Sequence, residues 1–191
     1  ILPSMLSGRF GSGRLAYAAA LGVAGVVAIL LAGGVVSAGT LERSRQAAVD
    51  RAVGMATPVL AGWISAQHDA LAPGAAPPPP AMMALLRGYF PAPMLAGVRY
   101  RVGWPESMAG VAFRLTDARA ITVDHIIVFR DARLAADPVL WAHELTHVRQ
   151  FERWGAGTFA RRYLENREAV ETEAWMAAAD YKMWALAAGR L

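Results

Sequence analysis

Hydrophobic and polar positions divide this chain into five zones. Leu15 to Val36 is almost wholly apolar, and residues 15–41 carry no charged side chain. Such a run exceeds the roughly 20 residues needed to cross a bilayer core. Over 41–70 the pattern becomes helical, with Val49, Val53, Leu60 and Trp63-Ile64 on one stripe and Pro58 expected to kink or divide the helix. Pro73-Gly-Ala-Ala-Pro-Pro-Pro-Pro80 reads as a stiff spacer and the clearest boundary in the chain. Beyond it, residues 81–90 predict a short helix halted by Pro91. Val98 to Val102 alternates as a strand, and Ile121–Val123 with Ile126–Phe129 predicts a hairpin turning at Asp124-His125.

The last zone is helical. Asp137 is a natural N-cap and Pro138 suits the first helical position. Val139, Leu140, Trp141, Leu145, Val148, Phe151 and Trp154 make the following turns apolar nearly all round, which suits a helix through a domain core. Gly155 supplies its stop. A short helix over 157–164 and a second long helix are expected to follow.

The core helix carries His143-Glu-Leu-Thr-His147. Positions i and i+4 share a helix face, so two imidazoles can meet one metal ion while Glu144, one residue round, reaches a water beside it. Two of the four histidines in the chain fall at this spacing. A zinc site with an open position needs a third protein ligand. With no cysteine, and with His68 and His125 upstream, a downstream carboxylate is expected. Glu171 is favoured because Ala174, one turn on, lets two helices approach closely; Glu168 and Glu173 stay open. A turn histidine such as His125 is by default a plain surface residue. For stabilising a developing oxyanion, Tyr163, Arg167 and Tyr181 are candidates by position.

Ala142–Gln150 around the motif, Ala120–Phe129 before it and Val170–Trp175 after it resemble the DUF4157 family. These are small gluzincin-like metallopeptidases related to the metallopeptidase domain of extracellular contractile injection systems. Leu85–Pro91 and Val98–Arg101 are also similar to the family's N-terminal part, so the likeness covers about residues 81–182. Arg149 departs from it, where a less bulky or uncharged residue is expected. The resemblance implies one zinc ion on His143, His147 and Glu171, Glu144 as general base, and a peptide or protein substrate.

These readings combine into an α+β chain. Residues 1–40 are expected as an N-terminal tail and transmembrane helix, 41–80 as a helical stalk with the Pro-rich linker, and 81–191 as a minimal gluzincin domain. That domain would hold a short hairpin or sheet and the motif helix. The expected localisation is a single-pass bacterial inner-membrane protein with the C-terminal domain outside the cytoplasm. Arg9 and Arg14 before the span against Arg43, Arg45 and Arg51 after it decide little by charge alone. Ala20, Ala24, Ala28 and Ala32 recur every four residues and form a candidate docking stripe for a membrane-protein partner. The formal charge of +4 comes almost wholly from arginine and suggests anionic lipid headgroups. No basic-aromatic module points to nucleic acid. The function expected is hydrolysis of peptide bonds; the competing class is a non-catalytic scaffold subunit of a membrane complex.

Overall fold

The computed structural model describes residues 38–103, 105 and 118–191. The chain divides into two compact units, Ile1–Ala52 and Val53–Leu191. In the first, the described residues are helical, with Arg45 bonded to Glu42 and Gln46 to Asp50. In chain order the elements are α1 (Ala38–Leu71), α2 (Pro80–Leu86), α3 (Ala92–Gly97), β1 (Arg99–Val102), β2 (Ala120–Val123), β3 (Ile126–Phe129), α4 (Ala132–Ala135) and α5 (Pro138–Ala187).

The fold expected from sequence needs correction. The described residues are mostly helical with one small three-stranded sheet, and no described helix is long and apolar enough to cross a membrane. α1 has the length, but Glu42, Arg43, Arg45, Asp50, Arg51 and Asp69 lie along it. Charges of that kind cost about 3 kcal/mol each at the centre of a membrane helix. The transmembrane helix and the single-pass localisation therefore find no support among the described residues. The apolar run 15–36 and the stripe Ala20, Ala24, Ala28 and Ala32 lie outside them.

The sheet has the order β1-β3-β2, with β1 parallel and β2 antiparallel to β3. Successive strand side chains point to opposite faces, and here both faces are covered. Ile127 and Phe129 enter one core with Trp141, Leu145, Tyr181 and the α2–α3 region. Ile126 and Val128 enter a second with Ile64 and Leu71 of α1, Phe151 and Phe159. All four β3 side chains are consequently buried. The hairpin turns at the predicted Asp124, whose φ of 56° is one of the left-handed conformations that aspartate tolerates.

α5 is broken twice. Gly155 (φ 70°, ψ 163°) and Asn166 (φ −156°, ψ 77°) are non-helical, so the chain runs as segments 138–154, 156–165 and 167–187. The predicted stop, short helix and second long helix all appear. Asp137 caps the start, its Oδ1 accepting from the N–H groups of Val139 and Leu140. Pro58, by contrast, neither ends nor divides α1. The Pro-rich stretch lies inside the Val53–Leu191 unit, where Ala76 pairs with Tyr100 across an isolated bridge.

Candidate metal centre

Segment 138–154 lies between the two cores, and its middle is buried: His143, Glu144 and His147 are only 4 %, 4 % and 7 % exposed. The i,i+4 spacing aims both imidazoles to one point, with Nε2 of His143 and Nε2 of His147 3.1 Å apart. The two breaks in α5 reverse the chain so that segment 167–187 passes alongside. Its Glu171 places Oε2 3.5 Å from Nε2 of His143 and 3.6 Å from Nε2 of His147. Ala174, one turn on, is fully buried, which is where a small residue permits close packing.

These separations suit a shared cation. Ligands on tetrahedral zinc at about 2.0–2.1 Å sit ~3.3–3.4 Å from one another. Three donors, two nitrogens and one carboxylate oxygen, are close to that spacing. The donor set fits zinc.

Outer partners orient these ligands. Gln150 donates from its amide nitrogen to Val170 O and to Glu173 Oε2, which leaves its Oε1 as an acceptor. In the neutral ring that metal binding needs, the 2.8 Å contact of that oxygen with Nδ1 of His147 places the proton on Nδ1 and leaves the lone pair on Nε2. Among the described residues Nδ1 of His143 is buried without a hydrogen-bond partner, and its ring packs on Trp175 with centroids 4.1 Å apart. Tyr163 donates to Glu171 Oε1 at 3.1 Å and Arg167 lies 3.9 Å from the same oxygen, leaving Oε2 for the histidines.

The electrostatics follow from this crowding. Burial would raise the Glu171 pKa, but hydrogen bonds from His143, His147 and Tyr163 and the His147 charge outweigh it, holding the carboxyl well below its usual range. Burial would lower the His147 pKa, but Glu171, Glu144 and Gln150 together raise it. Burial first, then the Glu171 charge, push the Tyr163 hydroxyl up to about 12, so it remains a proton donor at neutral pH.

Glu144 points elsewhere, towards the sheet. The hydroxyl of Thr122 on β2 donates to its Oε2 at 2.7 Å. Around Glu144 and the three convergent donors opens a cavity of about 620 Å³. Ala120, Ile121 and Thr122 form one wall, Leu60, Trp63 and Ile64 of α1 another. Among the described residues β2 has no partner on its outer edge.

Of the three candidate carboxylates, only Glu171 reaches the histidines. Glu173 binds Gln150 and Arg153 instead, and Glu168 is exposed beside a separate surface depression that also holds Arg149. Tyr163 and Arg167 line the cavity, whereas Tyr181 is fully buried in the core with its hydroxyl bonded to Leu85 O. Sequence reasoning assigned no role to Gln150, Thr122 or Trp175. Gln150 stands three residues after His147, on the same helix face, which was a usable signal. Thr122 gave none, because its role depends on strand placement.

Residues 77–155 match the model of the eCIS core domain, a DUF4157-related family. The match spans the strands and the HExxH segment and ends at Gly155, before Glu171. No curated protein and no solved structure matches the chain.

Proposed function

We propose that this chain is a zinc-dependent hydrolase of peptide bonds, with zinc held by His143, His147 and Glu171. The observation that carries the reading is the convergence of two Nε2 atoms and one carboxylate oxygen within 3.1–3.6 Å of one another beside a buried glutamate. The match of residues 77–155, which include the motif, to the eCIS core domain supports it, because that family is loosely associated with a metallopeptidase-like fold.

Zinc bound there would supply Lewis acidity, polarising a carbonyl and lowering the pKa of water to near neutrality. Every other task falls to side chains and backbone. Glu144 accepts the proton of the attacking water and passes it to the leaving amine. Thr122 holds one of its oxygens, and the side chain lines the cavity. An extended peptide pairs with the outer edge of β2, which sets the scissile bond across the histidines. Arg167, which lines the cavity, would meet the negative charge developing on the carbonyl oxygen, joined by Tyr163 if its hydroxyl turns from Glu171. The apolar walls exclude water and favour substrates with apolar side chains flanking the cut.

The test is metal removal. Protein stripped by a chelator should lose cleavage of an unfolded protein substrate, and about one equivalent of zinc at this site should restore it. Equal cleavage by stripped and zinc-loaded protein contradicts the reading.

A further inference from the structure

The other two histidines of the chain also form a pair. His68 stands near the C-terminal end of α1, and His125 at the β2–β3 turn, yet their Nε2 atoms face each other at 3.5 Å. Their rings meet edge to face, with centroids 4.8 Å apart. Each Nδ1 lies against a carboxylate oxygen: Asp69 Oδ1 at 3.2 Å for His68 and Asp124 Oδ2 at 3.1 Å for His125. An ionised carboxylate only accepts, so both rings carry their proton on Nδ1 and turn an Nε2 lone pair inward. Two lone pairs facing each other at that distance can be bridged by a shared cation. A carboxylate behind each histidine is also the usual outer support of a metal-binding imidazole.

We infer that Nε2 of His68 and Nε2 of His125, with Asp69 and Asp124 supporting the rings from behind, form a second site for a first-row divalent cation of the zinc class. Ligand atoms of His68, Asp124 and His125 lie within 4.8 Å of one another. The 3.5 Å between the nitrogens is close to the ~3.3–3.4 Å spacing on tetrahedral zinc, and imidazole donors select zinc, nickel or copper over calcium or magnesium. The side chains of His68 and His125 are 27 % and 42 % exposed, so the remaining coordination positions face solvent. An ion there staples the end of α1 to the hairpin turn. Because Leu60, Trp63 and Ile64 of α1 wall the cavity over the first centre, this staple fixes that wall in place. The inference stands apart from the proposed hydrolysis, since none of its ligands belongs to the first centre.

Zinc content after dialysis and gel filtration of the full chain tests it. The unsubstituted protein should retain two zinc ions, His68→Ala or His125→Ala one, His147→Ala one, and His68→Ala with His147→Ala none. An unsubstituted protein that retains only one ion, with none left in His147→Ala, overturns the second site while sparing the first. Two ions retained in both His68→Ala and His125→Ala overturn it as well. A measurement needing no variant runs alongside. Carbethoxylation mapped by peptide mass should find His68 and His125 reactive in stripped protein and at least tenfold slower with zinc. Rates unchanged by zinc overturn the inference.

Discussion

The two histidine pairs use the same donor atoms in opposite settings. His143 and His147 come from one helix, with side chains 6 % and 9 % exposed, and their supporting groups Gln150, Glu171 and Tyr163 are themselves held. His68 and His125 come from two elements and stand half in solvent, each supported only by a neighbouring aspartate. The first arrangement is rigid before any ion arrives and opens on a cavity with a buried carboxylate, which is what catalysis asks of a site. The second can only fasten two elements together. Burial and outer support, more than the ligands themselves, separate a reactive centre from a clasp.

The strongest way to break this comparison is to remove the carboxylate that bridges the first pair. Glu171→Ala should weaken zinc binding at this centre beyond the ~100-fold that loss of an outer partner costs at most. Glu168→Ala should leave it unchanged, and Glu173→Ala should have a small effect passed on through Gln150. Competition against a chelating dye measures all three; equal losses would reduce Glu171 to a general electrostatic contribution. Next comes the outer support itself. Gln150→Ala frees the His147 ring and unties it from Val170 O, so affinity should fall by about 10- to 100-fold. No change would mean that burial alone orients the ring. The smallest effect is expected at Thr122→Val, which leaves the ligands intact and releases Glu144. Turnover should drop roughly tenfold, a fraction of what a general base contributes, with zinc affinity unaltered. An affinity loss there would place Thr122 in the support of the metal instead.

The comparison also marks what a sequence can disclose. His143, Glu144 and His147 were legible because helical periodicity converts spacing into geometry. Glu171 was narrowed to one of three glutamates by the same logic, but only packing separates them: Glu173 turns towards Gln150 and Arg153, and Glu168 towards solvent. The break at Gly155 followed from local residue chemistry, while the one at Asn166 was bounded only by the expected end of the short helix. His68 and His125 lie 57 positions apart and no period links them, so their meeting depends on how α1 lies across the sheet. Of the two outcomes expected at Pro58, a kink or a division, the division does not occur, since α1 continues through it. The α1 stripe likewise gave Ile64 its buried place but did not reveal that Leu60 and Trp63 would wall a cavity.

The central claim is that the buried glutamate beside the convergent donors acts as a base on water. Glu144→Gln preserves the size of the side chain and its contact with Thr122, and removes only the ability to take a proton. The decisive measurement is zinc content and peptide-bond cleavage on the same preparation of this variant. Full zinc occupancy with turnover reduced by about 10²- to 10⁴-fold is the predicted result. A zinc-loaded Glu144→Gln protein that cleaves at the unsubstituted rate would contradict the account.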